Sequence, residues 1–214
     1  MAVDNISLIV DLLILATVAV FYTGFYVWFN FRRKDLDRAV TGLREGALLL
    51  VIVAFITGII ALWGEITFPL PGSYNVFFFD PLGLFALLIG AFGLAVWFRL
   101  PTSFVGVFGV VVGSGVILYG ARAYQLHLTM DPLETFLLYV AFGALAIASL
   151  VPALFIDWFI IGPKVPNVQP IPSTETPAYP RMWTALLGAF MALTFLAGLA
   201  AMLYAINIVW AHLA

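Results

Sequence analysis

Six long runs of apolar residues, almost free of charge, alternate with short polar segments along the chain. The runs occupy residues 6–29, 46–64, 82–98, 103–120, 136–156 and 183–210. A helix rises about 1.5 Å per residue, so about 20 apolar residues cross the roughly 30 Å hydrocarbon core of a bilayer. Asp11 is the only charged residue inside any run. The pattern predicts an all-α integral membrane protein, a six-transmembrane-helix bundle forming one domain over residues 1–214.

The composition supports this prediction and excludes several functions. Hydrophobic residues make up 64% of the 214 residues and charged residues only 9%, against about half and a quarter in soluble domains. The chain is therefore predicted to contact the lipid bilayer and not to be a soluble enzyme. A net charge of −2 gives no reason to expect a nucleic-acid partner. The chain has no cysteine, which excludes thiol catalysis, disulfides and cysteine-held metals.

Basic residues predict the orientation of the bundle. All but one of the nine Lys and Arg residues lie in the connections between spans one and two, three and four, and five and six; Arg122 alone lies on the other side. The positive-inside rule places these connections in the cytoplasm and both termini outside it. The predicted location is the plasma (inner) membrane. All six tryptophans fall at the ends of spans, where indoles favour the level of the lipid head groups.

Two segments, 79–97 and 130–149, resemble each other. Both contain Asp-Pro-Leu, a Phe three residues later, and Ala-Phe-Gly. Spans two–three and four–five are therefore predicted to be a parallel repeat of one helical hairpin. In Asp80–Pro81 and Asp131–Pro132, the aspartate is predicted to cap a helix whose first residue is the proline.

Small residues predict where the helices pack. Span four has Gly109 and Gly113 at GxxxG spacing, and spans five and six carry rows of alanine. Close backbone approach drives helix association in lipid, so spans four, five and six are predicted to form the tightly packed core. Pro152 is predicted to kink span five.

The acidic side of the protein carries the residues with candidate chemistry. Asp11, Tyr22 and Tyr26 fall on one stripe of the first helix. Together with the other outer polar residues they form a candidate path for a ligand or an ion. The set comprises Asp11, Tyr22, Tyr26, Glu65, Asp80, Arg122, Asp131 and Glu134. The apolar, proline-containing segment 65–80 is predicted to be a long interfacial loop, with a lid or a docking surface as functional alternatives.

A metal or haem site on the same side is an alternative. His127 and His212 are the only histidines, and both lie near the outer acids. Imidazole and oxygen ligands suit divalent cations, yet the spacing matches no metal motif. No cofactor is therefore expected, although these residues do not exclude a haem or a divalent metal at the outer face.

Three segments resemble a known family. They are Leu43-Arg44-Glu45-Gly46, Trp63-Gly64-Glu65, and the proline-containing stretch that ends in Phe79-Asp80-Pro81. They are similar to an uncharacterised family of small archaeal and bacterial membrane proteins of unknown function, over the chain up to about Ile161. The resemblance implies a prokaryotic multi-span membrane protein and supplies no catalytic residue.

Three functional hypotheses follow from these features. The polar residues between the interfaces are few, which favours a non-catalytic subunit or assembly partner of a membrane complex that binds an apolar ligand such as a quinone or lipid. Its partners would be other membrane proteins or copies of itself. The first alternative is a small cation channel or transporter with an acidic outer vestibule. The second is a metal- or haem-dependent membrane enzyme at the outer face.

Overall fold

The computed structural model describes residues 5–70, 72–129, 131–161 and 181–213, with side chains for all of these except 5, 73, 161 and 208–213. In these ranges the chain forms seven α-helices and one π-helical turn. They are α1 (Asn5–Arg32), α2 (Leu36–Thr67), α3 (Ser73–Trp97), α4 (Ser103–Gln125), α5 (Pro132–Ala148), α6 (Leu150–Ile156), the π-helical turn Asp157–Ile161, and α7 (Arg181–Leu213).

Six helical segments are long and apolar enough to cross a membrane. Five are the single helices α1, α2, α3, α4 and α7, and the sixth is the continuous segment Pro132–Ile160, which joins α5, α6 and the π-helical turn. This confirms the predicted six-span helical bundle. The protein is a multi-pass membrane protein.

The connections alternate between two ends of the bundle. The end with the α1–α2 and α3–α4 turns is the basic end, since it carries Arg32, Arg33, Lys34 and Arg99. The opposite end, with the α2–α3 and α4–α5 connections, is the acidic end. Helix α1 packs on α2, α3 and α7, whereas α4 packs on α3, α5 and α6. The predicted core of spans four to six is thus correct for α4 with α5, while α7 packs on α1 as well as on α5.

The two Asp-Pro dipeptides occupy different positions in their helices. Asp131 caps α5, where its carboxylate accepts from the backbone N–H of Glu134 at 3.1 Å, and Pro132 is the first helical residue, as predicted. The same prediction for Asp80–Pro81 is wrong. Helix α3 begins at Ser73, so this dipeptide lies inside it. The hairpin repeat therefore stays a prediction, and its two motifs differ in local structure.

The connection between α2 and α3 is much shorter than the predicted loop 65–80, because both helices extend into it. Asn75 is fully buried and holds the helix ends together. Its Nδ2 donates to the carbonyl oxygen of Gly64 at 2.9 Å, and its Oδ1 accepts from the backbone N–H of Leu70 at 3.3 Å. The segment therefore forms two joined helix ends instead of a long interfacial loop or a lid.

Helices α4 and α5 approach each other closely at glycines. A Cβ atom on Gly109 or Gly113 would collide with the backbone carbonyl oxygens of Ala146 or Gly143. The GxxxG spacing thus marks a helix contact, as predicted. Within the fifth span, α5 ends at Ala148 and α6 begins at Leu150, so Pro152 lies in the first turn of α6. A kink of the span at this proline stays a prediction.

Candidate functional site

A groove runs along the outer surface of the α2–α3 hairpin. Its floor consists of small residues from both helices, namely Ala54, Gly58, Ala61, Gly83, Ala86 and Gly90. Its walls include Phe55, Leu62 and Leu87, which are 69%, 61% and 64% exposed. Because glycine and alanine leave little bulk between the walls, the groove has a volume of about 770 Å³. This is within the range of roughly 300–1,000 Å³ that is typical of small-molecule sites.

Three polar side chains line the groove at the acidic end. Glu65 comes from the last turn of α2, Asp80 from α3 and Tyr119 from α4. The Tyr119 hydroxyl donates to Asp80 Oδ2 at 2.9 Å. Glu65 Oε1 is buried and has no hydrogen-bond partner in the described part of the chain. An apolar groove thus ends at a cluster of oxygen atoms, one of which is unsatisfied.

Sequence reasoning selected Glu65 and Asp80 but missed Tyr119. Tyr119 and Asp80 are 39 residues apart, and no helical periodicity relates residues on different helices. The only signal in the sequence is that all three residues lie at the ends of spans on the acidic side. The packing of α4 on α3 brings the phenol to the carboxylate.

The predicted stripe on the first helix faces the surface of the protein. Asp11 is exposed and Tyr22 is 62% exposed. Tyr26 is half-buried, with its ring centroid 6.5 Å from that of Tyr22. None of the three lines the α2–α3 groove. A ligand or ion path along them stays a prediction.

The other three predicted site residues lie apart from the groove. Asp131 caps α5. Glu134 Oε1 accepts a hydrogen bond from Asn207 Nδ2 at 2.6 Å, which joins α5 to α7. Arg122 is exposed and donates to Gln125 Oε1 at 3.2 Å. Of the predicted set, the structure therefore places Glu65 and Asp80 at the groove.

The two histidines were the candidate ligands for a metal or a haem. His127 is exposed just beyond α4, and its ring centroid is 6.3 Å from that of Tyr124. The side chain of His212 lies outside the described residues. The described ranges contain no group of three or more His, Cys, Asp or Glu residues that could hold a metal ion. A site that uses both histidines stays a prediction.

Comparison with known proteins identifies a family. No curated protein and no solved structure matches the chain. A family model described as "Protein of unknown function (DUF981)" matches residues 1–214. The predicted resemblance is thus confirmed, and it extends beyond Ile161 to the whole chain. With the family model matching along its full length, the chain belongs to the DUF981 family of proteins of unknown function.

Proposed function

We propose that this protein is a non-catalytic membrane component that binds a long-chain amphiphile, a quinone or a lipid, in the α2–α3 groove. The observation that carries the proposal is Glu65 Oε1, a buried acceptor without a partner at the end of an apolar groove. Leaving such an atom unpaired costs about 1–3 kcal/mol. A rotation of the Glu65 side chain would bring this oxygen from its buried position into the groove, where the head group of a ligand would donate a hydrogen bond to it and remove that cost. The protein would act as a subunit or assembly partner of a larger membrane complex.

The length of the groove supports a ligand with a long chain. Along α2 it extends from Glu65 to Val51, and along α3 from Asp80 to Leu94. At about 1.5 Å per residue each side is about 21 Å long. One leaflet of the hydrocarbon core is only about 15 Å deep. The groove therefore suits an extended chain that passes the bilayer midplane.

The polar end of the groove favours a head group that donates hydrogen bonds. The Tyr119 hydroxyl already donates its proton to Asp80, so it cannot donate to a ligand at the same time. The free acceptor is Glu65 Oε1. A quinol hydroxyl and the hydroxyl or ammonium group of a lipid share this donor chemistry. The experiments below distinguish a quinone from a lipid.

The first experiment fills the groove. A Cβ atom on Gly58 would lie 3.9 Å from the Ala86 Cβ, so Gly58→Leu adds bulk to the groove with little strain at its first carbon. Protein purified in mild detergent is extracted with organic solvent, and the bound molecules are identified by mass spectrometry. The relevant molecule is the amphiphile that copurifies with the wild type in excess of its proportion in the membrane. We expect the variant to retain at least about fivefold less of it than the wild type. Ala192→Leu, on the exposed surface of α7, is the matched control and should retain it.

The second experiment tests the head group. Glu65→Leu should lower retention of the same molecule, whereas Glu45→Leu, at an exposed position of α2 near the basic end, should not. Ultraviolet absorbance identifies a quinone, and phosphorus content identifies a phospholipid. If the wild type carries only the bulk lipids of its membrane in their bulk proportions, the proposal is wrong.

We also propose that the basic end faces the cytoplasm of a plasma (inner) membrane, with both termini outside. The support is the charge distribution, since Arg122 is the only Lys or Arg residue assigned to the other side. The chain has no native cysteine, so single cysteines report on accessibility without background. In intact cells a membrane-impermeant maleimide should label His127→Cys and not Lys34→Cys. The reverse pattern would overturn the orientation.

A further inference from the structure

Two exposed helix faces, separate from the groove, carry opposite charges. On α1 the face consists of Asp11, Leu15, Val18, Tyr22 and Phe29. On α4 it consists of Phe104, Val111, Gly115, Leu118 and Arg122. Among the described residues neither Asp11 nor Arg122 takes part in an ion pair; Arg122 contacts the neutral side chain of Gln125. Each face therefore offers an unpaired charge near the acidic end of an otherwise mostly apolar surface.

The two faces match in direction and in spacing. Helix α1 runs from the acidic to the basic end, and α4 runs in the opposite direction. With Asp11 placed opposite Arg122, Leu15 lies opposite Leu118 and Tyr22 opposite Val111. The far ends, Phe29 and Phe104, then also meet, because both rows are about 27 Å long.

The same register places a side chain opposite an open space. Val18, 59% exposed, lies opposite Gly115. A Cβ atom on Gly115 would have no heavy atom within 4 Å, so this glycine leaves a shallow depression on the surface of α4. Close approach of helices in lipid occurs where a small residue faces a larger one. The charges and the shapes therefore select one alignment.

We propose that these faces form the interface between neighbouring copies of this chain, with Asp11 of one copy paired to Arg122 of the next. Within the described part of the chain the large side chains of both faces are exposed, so both faces are available to a second copy. An interface between two different faces continues from copy to copy, and it closes into a ring when the rotation permits. A symmetric contact between two α1 helices is disfavoured because it would place Asp11 beside Asp11.

Cysteine crosslinking tests the alignment, since the chain has no cysteine of its own. A chain carrying both Val18→Cys and Gly115→Cys is oxidised in its membrane with copper phenanthroline and oxygen, which converts two thiols into one disulfide. We expect a ladder of dimers, trimers and larger products. Ile56→Cys with Gly115→Cys, which uses an exposed position on α2, should give none. Dimers from Val18→Cys alone would indicate the symmetric contact and overturn the proposal.

A charge exchange tests the ion pair by a second route. The mass of the protein in lipid nanodiscs, measured by light scattering, should show an oligomer for the wild type and smaller species for Asp11→Arg and for Arg122→Asp. The double variant should regain at least about half of the oligomer, because the pair is restored in reverse. A monomeric wild type, or single variants that assemble like the wild type, would overturn the proposal.

Discussion

The hydroxyl of Tyr139 donates a hydrogen bond to the carbonyl oxygen of Phe77 at 2.6 Å. In a regular helix this carbonyl accepts from the residue four positions later, which here is Pro81, and proline has no N–H group. Tyr139 on α5 thus supplies the donor that α3 lacks. The two aromatic rings are stacked, with centroids 4.8 Å apart. This pair connects the α2–α3 hairpin to the α4–α5 hairpin inside the bundle.

Replacing Tyr139 with Phe should destabilise the protein through this carbonyl. The substitution keeps the ring and removes the donor, so Phe77 is left with an unpaired oxygen in a buried site. We expect a loss of about 1 kcal/mol in the free energy of unfolding, measured by titration of mixed micelles with sodium dodecyl sulfate. In a Pro81→Ala background the helix regains its own donor, and the loss should become smaller. Equal losses in both backgrounds would contradict this explanation.

The number of spans was predictable from the sequence, and the helix ends were not. A backbone in lipid has to satisfy its hydrogen bonds internally, so each long charge-free run is a helix. Helix α2 nevertheless begins at Leu36, well before the predicted residue 46. Its first turns carry charged residues such as Asp37 and Arg44, which head groups and water can solvate. A helix therefore continues beyond the apolar run that reveals it.

The two Asp-Pro dipeptides differ in the contacts that determine their structure, which are local for Asp131–Pro132 and tertiary for Asp80–Pro81. Asp131 caps α5 through a bond to Glu134 that is local in sequence, and the sequence predicts it correctly. Pro81 lies inside α3, where a residue 62 positions away from Phe77 supplies the missing donor. Nothing in the local sequence around Pro81 indicates that such a donor exists.

Only part of the candidate site could be predicted from the sequence, because the rest of it depends on tertiary contacts. Glu65 and Asp80 lie near the ends of their spans, and their charge makes them visible in an apolar chain. Tyr119 is one of eight tyrosines, and only the packing of α4 on α3 distinguishes it from the others. The groove itself forms where small residues of α2 and α3 lie side by side. This alignment can be predicted only if the register of the two helices is known.

Gly113 and Gly115 should respond differently to the same substitution. A Cβ atom on Gly113 would collide with the carbonyl oxygen of Gly143, whereas one on Gly115 meets open space. Gly113→Ala should therefore lower the free energy of unfolding by about 2 kcal/mol or more, because backbone has to move. Gly115→Ala should leave it unchanged or raise it by up to about 1 kcal/mol, since alanine favours the helix. Thermal denaturation of both variants in one detergent makes the comparison.

Thr57 offers a site where stability can be gained. Its hydroxyl is buried and has no hydrogen-bond partner in the described part of the chain. Valine has nearly the same shape and no polar atom, so Thr57→Val should raise the free energy of unfolding by about 1 kcal/mol. Thr194 is buried too, but its hydroxyl donates to the carbonyl oxygen of Phe190 at 2.9 Å. Thr194→Val should gain less, and a larger gain at this second position would contradict the argument.

Asp157 should be needed to hold the start of α4. Its Oδ1 accepts from the backbone N–H of Thr102 at 2.7 Å, and its Oδ2 accepts from that of Ser103 at 2.8 Å. The Thr102 hydroxyl also donates to Oδ1, at 2.8 Å. The carboxylate thus satisfies N–H groups that the first turn of a helix cannot satisfy itself, and its negative charge favours that end of the helix.

Removing this carboxylate should therefore cost more than a typical surface substitution. Asp157→Ala should lower the free energy of unfolding by about 2 kcal/mol, and Asp157→Asn by about half as much, because the amide keeps one acceptor oxygen. Hydrogen exchange followed by mass spectrometry should localise the change. Faster exchange at the first turn of α4, with unchanged exchange at the Asp131-capped start of α5, is the expected pattern. Uniformly faster exchange across the bundle would show that Asp157 acts elsewhere than at the start of α4.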